Sequence, residues 1–313
     1  MKIYMAAVFT NDFMPGQYNY REKMDDFERG IVCQVPHLLE SYHYVKSKRW
    51  TEDLRRCGAK VFLDSGAYSA FTLGATLDLN DYVEYIKKNK DIILVEDGVL
   101  MASVLDGIGD PLQTYRNQLQ MEEMGVRPLP CFHAGEDERY LEYYISNYDY
   151  ITLGGMVGAH TKQLMIWLDR IWDKYLTDGS GRARCKVHGF GITSIPLMER
   201  YPWYSCDSSS WVQMTAFGAV LAPYPSNGTL GIVLNVSEKS PARHTAGHHV
   251  SNFTEEEQRI AIQMVEANGF DYSRLEWNYP SRAMYNLWSF GVINELINAE
   301  KSDVFVSETQ ELF

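Results

Sequence analysis

The sequence predicts an α/β protein: a (β/α)8 barrel of the TIM type with a C-terminal appendage of helices and loops. Three observations lead there. Short apolar, β-branched runs alternate with segments of helical period along most of the 313 residues. About eight such runs can be counted, and eight βα units closing on themselves need roughly 250 residues. No GxGxxG follows the first run, so an open, doubly wound dinucleotide-binding sheet ranks second.

The elements follow in order. Strands are expected at KIYMAAV (2–8), KVFLD (60–64), MASVLD (101–106), PLPCFH (128–133), YITLGG (150–155), KVHGFG (186–191), WYSCD (203–207) and AVLAP (219–223). Helices are expected near 36–56, 79–89, 112–124, 137–146, 161–176 and 195–200. The segment DPLQTYRNQLQMEEMG is the clearest helix: Asp110 caps it, Pro111 suits its first turn and Gly125 stops it. In TKQLMIWLDRIWDKYL, Leu164, Trp167, Leu168, Ile171 and Trp172 share one face, the pattern of a core helix. Residues 1–225 are read as the barrel. Residues 226–313 are read as an appendage packed on it, not an independent domain, with a short strand at LGIVLNV and two helices capped by Thr254 and Ser281.

Composition narrows the function classes. The chain is 45% hydrophobic, enough for a sizeable core, and no apolar run approaches the ~20 residues of a membrane helix. The N-terminal apolar run is too short for a signal peptide, so a soluble, cytoplasmic protein without membrane partners is expected. Cys33, Cys57, Cys131, Cys185 and Cys206 lie far apart without CxxC spacing, which speaks against a disulfide framework and a cysteine-rich zinc site. The net charge of −12 argues against coating a polyanion over the whole surface. It leaves room for a local basic groove.

Several strands end in residues suited to chemistry or close approach: Asp64, Asp106, His133, Gly154–Gly155, His188 and Asp207. In a parallel barrel all strand C-termini open on one face, where active sites are built. Each residue alone has a plainer use, as a turn cap, a hydrogen-bonded core histidine or a turn glycine. Together, acids in this position suit substitution at a sugar carbon, with one carboxylate as nucleophile and another moving a proton. Residues alone stop at a barrel enzyme of glycosyl transfer or hydrolysis.

Motifs in a fixed order carry a family resemblance over residues 60–225. FLDSGAYSAF (62–71) resembles the DSGG-type motif of the tRNA-guanine transglycosylase superfamily, LGGMVG (153–158) its base-binding loop, KVHGFGITS (186–194) its later glycine-rich strand end, and YSCDSSSW (204–211) its nucleophile strand. VLDGIGDP (104–111) and PCFHAGED (130–137) are more similar to a phage branch, the DpdA-type DNA 7-deazaguanine transglycosylases. The resemblance implies exchange of guanine in DNA for a free 7-deazaguanine base of the preQ0 kind. It implies Asp207 as the nucleophile at C1′ and Asp64 as general acid/base. Asp106 would meet the purine N1–H and 2-amino edge, with Gly154, Gly155, His133 and His188 lining the base pocket. Tyr68 or Met156 would sandwich the heterocycle, and Ser208–Ser210 would keep Asp207 ionised.

The superfamily's zinc motif after the nucleophile is missing, since no cysteine follows Cys206. No cofactor is therefore expected. His244, His248 and His249 are the weak candidates for a metal. The absent zinc lobe favours DNA over tRNA. A small footprint on the backbone is expected, held by Arg182, Arg184, Lys186, Lys239 and Arg243. Homodimers or modification-complex partners fit the same reading. The alternatives are a tRNA-guanine transglycosylase, a barrel nucleoside or glycoside hydrolase, and an inactive barrel acting as a binding subunit.

Overall fold

A computed structural model of the chain describes residues 1–226 and 228–300. The chain divides into two compact units. One comprises Met1–Ala6, His37–Asp207 and the chain from Leu296; the other comprises Ala7–Pro36 and Ser208–Glu295. Residues 301–313, the end of the expected appendage, lie outside the described residues.

The first unit is an α/β layer structure. In chain order its strands are β1 (Lys2–Ala6), β2 (Leu38–Ser41), β3 (Phe62–Asp64), the short pair β4 (Val95–Glu96) and β5 (Val99–Leu100), then β6 (Cys131–His133), β7 (Tyr150–Gly154), β8 (Lys186–Gly189) and β9 (Ser205–Ser208). Seven of them form one sheet in the order β3-β2-β1-β9-β8-β7-β6, and every paired register described is parallel. The sheet is a curled half-barrel rather than a closed ladder of eight strands. The expected strand 101–106 pairs only through single bridges, Leu63 with Ala102 and Ser103 with Leu129. Backbone bonds from Ser103 N–H to the Leu63 carbonyl (3.0 Å) and from Val104 N–H to the Leu129 carbonyl (3.0 Å) hold this segment between the two sheet edges.

Two expectations are corrected. In place of the single helix expected over 36–56, Leu38–Ser41 forms β2, followed by helices Tyr42–Val45 and Lys48–Cys57. The run HLLES is too short for periodicity to separate strand from helix, and the edges of β1 and β3 capture it through Met5↔Leu38 and Ser41↔Asp64. Conversely, the expected barrel strand 219–223 belongs to the second unit. There it pairs antiparallel, as β10 (Ala219–Ser226), with β11 (Thr229–Asn235). The domain boundary expected after residue 225 falls inside this hairpin.

Helix ends follow their caps. Asp110 Oδ1 accepts the Gln113 N–H at 3.0 Å and Pro111 opens the helix Pro111–Glu123. Helix Thr161–Ile171 buries Leu164, Leu168 and Ile171, then widens into a π turn over Trp172–Leu176 instead of running to 176 as an α-helix. Inside the curl, Tyr4, Ala6, Leu39, Phe62, Met101, Leu129 and Tyr150 form one buried cluster. At the strand N-termini, Glu96 is bound by Lys2, Tyr4 and Tyr204, which closes that end with polar contacts.

The second unit is mainly helical. Thr254 and Glu257 form a reciprocal capping box on helix Glu255–Glu266. Helix Tyr279–Glu300 starts two residues before the expected cap, so Ser281 lies within it and donates its hydroxyl to Glu28. Glu28 also pairs with Arg274 Nη2 at 2.8 Å. Asn286 is fully buried and fully used: its Oδ1 accepts the Leu221 N–H at 2.8 Å, and its Nδ2 donates to Thr215 Oγ1 (2.9 Å) and to the Trp211 and Ala219 carbonyls (3.2 and 3.1 Å). Among the described residues no helix is long and apolar enough to cross a membrane, and all five cysteines are free.

Candidate active site

The C-terminal ends of β3, β6, β7, β8 and β9, with the segment 101–106, carry the site. Asp64 ends β3. Its Oδ2 accepts the Gly66 N–H at 3.0 Å and its Oδ1 accepts the Ser103 hydroxyl at 3.4 Å. Gly66 has φ +73°, and a Cβ there would stand 2.6 Å from His43 Cβ, so only glycine allows the turn that aims this donor. Burial, then the negative charges of Asp106 and Asp207, push the Asp64 pKa up to about 7, against the two donated bonds. Asp64 is thus poised to hold a proton near neutral pH.

Asp207 lies in β9 and is 8% exposed. Its Oδ1 accepts the Gly191 N–H at 2.9 Å and lies 3.3 Å from His188 Nε2. His188 is completely buried, with ring centroids 4.8 Å from Phe62 and 4.7 Å from Phe190. Its Nδ1 meets Ser205 Oγ at 2.6 Å, and Ser205 Oγ meets the Tyr150 hydroxyl at 2.6 Å. The three contacts are satisfied when Tyr150 donates to Ser205, Ser205 donates to Nδ1, and Nε2–H donates to Asp207. His188 therefore supports the carboxylate from beneath instead of lining a base pocket. The serines expected to hold Asp207 are used locally: Ser208 Oγ accepts the Ser210 N–H at 3.1 Å and Ser209 Oγ accepts from Gln213 Nε2 at 3.0 Å.

His133 ends β6 opposite Gly154. Its Nδ1 is bound by Glu136 Oε1 at 2.8 Å, and Glu136 Oε2 accepts the His133 backbone N–H at 3.0 Å. Its Nε2 lies 3.6 Å from Asp106 Oδ1 and 3.5 Å from Cys131 Sγ. Burial opposes a charge on His133, yet Cys131, Asp106 and Glu136 outweigh burial and hold the imidazole above its ordinary value. Burial pushes the Cys131 thiol up to about 11. A Cβ on Gly154 would stand 2.7 Å from His133 Cδ2, so the missing side chain makes room for this imidazole. Gly155 has φ +72° and turns the chain away from the strand.

Beside Asp106 a cavity of about 350 Å3 is lined by Ala67, Phe71, Leu105, Gly107, Gln113 and Asn117 among others. Tyr68 is 55% exposed on the helix Ala67–Thr72, whereas Met156 is buried at 2% and presents little surface for stacking.

The basic residues of the first unit fall elsewhere. Lys186 begins β8, so strand polarity puts it at the opposite end of the sheet from Asp207; it pairs with Asp97 at 2.7 Å and lies over the Tyr204 ring. Arg182 and Arg184 lie in the turn leading into that same end, where Arg184 Nε donates to the Thr177 carbonyl at 2.8 Å. Lys239 and Arg243 are exposed in the second unit. His244, His248 and His249 make no metal cluster among the described residues: His249 is buried with Nδ1 on Ser251 and Nε2 on the Ser237 carbonyl, while the other two are exposed.

Four residues that contact the expected ones are not among those singled out from the sequence: Ser103, Cys131, Glu136 and Gly191. A lone serine inside the apolar run MASVL marks Ser103, and an acid three residues after a strand-end histidine marks Glu136. No family model and no curated protein matches this chain.

Proposed function

We propose that the chain is a base-exchange transglycosylase that replaces guanine in DNA with a 7-deazaguanine through a covalent aspartyl–sugar intermediate. The observation that carries the reading is the split between two acids: Asp64, buried and held near pH 7, and Asp207, given donors by Gly191 and the His188 relay. Glycosyl transfer requires one carboxyl group that moves a proton and a second that attacks the sugar.

Asp207 attacks C1′ of the target nucleotide as the C1′–N9 bond breaks, and protonated Asp64 gives its proton to the departing guanine. The incoming 7-deazaguanine then loses its N9 proton to the Asp64 carboxylate. Its N9 attacks C1′ and releases Asp207. Asp106 takes the donor edge of the base, and the cavity beside it receives the heterocycle after the nucleotide leaves the stack. In this reading the half-barrel functions as a (β/α)8 barrel, with Met101–Val104 as its fourth strand. DNA is preferred as the polymer because the segments VLDGIGDP and PCFHAGED are similar to the DNA-acting branch.

Incubation with guanine-containing DNA or tRNA and labelled 7-cyano-7-deazaguanine tests the proposal. Label should enter DNA alone, and Asp207→Asn should reduce incorporation at least 1,000-fold with the fold retained. Label in tRNA alone would move the substrate to RNA. Guanine release without incorporation would make the protein a hydrolase.

A further inference from the structure

Asp106, Cys131 and His133 each bring one metal-ligating atom to a single point, and all three atoms lie within 4.8 Å of one another. Cys131 and His133 are two apart on β6 and so face the same side. Sγ to Nε2 is 3.5 Å and Nε2 to Asp106 Oδ1 is 3.6 Å. Bonds of about 2.0–2.3 Å at tetrahedral angles put donor atoms roughly 3.3–3.6 Å apart, which these separations match. Asp106 Oδ1 is buried and has no hydrogen-bond partner, an expensive state for a carboxylate oxygen unless something else binds it. Glu136 supplies the remaining piece. By holding Nδ1 at 2.8 Å it fixes the imidazole so that Nε2 faces the other two ligands, the outer-shell carboxylate that metal-bound histidines commonly have. Gly154 keeps the space clear, since a Cβ there would press on both Cys131 Sγ and His133 Cδ2.

We propose that Asp106, Cys131 and His133 form a zinc(II) site with an open fourth position, held by Glu136 from behind. A thiolate, an imidazole and a carboxylate suit zinc, and three protein ligands leave one position for water or a ligand atom. The metal replaces the Cys131 thiol proton, which is released to solvent. The site lies on β6 and the segment after Met101–Val104. It shares none of its ligands with the histidine cluster of the second unit. It does not rest on base exchange: Asp106 uses Oδ1 here and keeps its second oxygen for a substrate edge.

Cobalt(II) titration of the chelator-treated full chain tests the proposal. One equivalent should produce intense visible bands of tetrahedral cobalt and a near-ultraviolet thiolate-to-metal band, both displaced by zinc(II). Cys131→Ser should abolish the thiolate band, Cys33→Ser should leave it intact, and Glu136→Gln should weaken binding about 10- to 100-fold. Should Cys131→Ser fail to fold by circular dichroism, Asp106→Asn, of equal size, should still weaken binding at least tenfold. Absence of the thiolate band in the unaltered protein, its persistence in Cys131→Ser, or unchanged affinity in Asp106→Asn would overturn the site. None of these readings requires exchange activity.

Discussion

At the scale of single residues, Asp64 is a group through which pH acts on stability. Its folded pKa of about 7 stands well above the ordinary carboxylate value, because burial and two neighbouring acids disfavour its charge. The folded state therefore binds this proton more tightly than the unfolded chain. The resulting stability is full below the unfolded pKa near 4 and is lost as pH rises towards 7. About three pKa units correspond to at most ~4 kcal/mol. Asp64→Asn keeps an acceptor for Gly66 and cannot ionise. Urea unfolding should show it more stable than the parent at pH 8, with the gain shrinking steadily towards pH 4. A stability difference that does not change with pH would show that Asp64 titrates normally. Exchange by the parent should also decline above pH 7, as the proton needed by the leaving base is lost.

At the scale of elements, strand ends explain what was legible and what was not. The acids at 64, 106 and 207 and the histidines at 133 and 188 were visible because each closes or follows an apolar run. Their partners were not, because Gly191, Ser103 and Glu136 act through register and turn geometry that no spacing rule encodes. β2 was hidden because four residues are too few to show a period, and AVLAP looked like a barrel strand because an antiparallel hairpin reads the same way. The polarity of β8 also relocates the basic cluster. Arg182→Glu with Arg184→Glu should leave the exchange rate and the apparent affinity for DNA within about twofold. A tenfold rise in KM for DNA would return these residues to the substrate path. In the second unit, Asn286 joins the helix Ser210–Ala216 to β10. Asn286→Ala leaves several buried backbone groups unpaired and should cost at least ~2 kcal/mol in urea unfolding. A loss below ~1 kcal/mol would mean that water replaces the amide.

Across the whole molecule, an acidic chain of net charge −12 is expected to handle a polyanion only through a narrow contact. The parallel α/β architecture was legible from the alternation of runs, and the division of the chain was not, because residues 7–36 join a compact unit with residues beyond 207. The central step of the proposed reaction is that Asp207 takes the sugar from its base. Rapid acid quenching of the protein mixed with guanine-containing DNA, followed by peptide mass spectrometry, tests this directly. A deoxyribose-linked adduct should map to Asp207 and vanish in Asp207→Asn. An adduct on any other residue, or one that survives that substitution, would contradict the account.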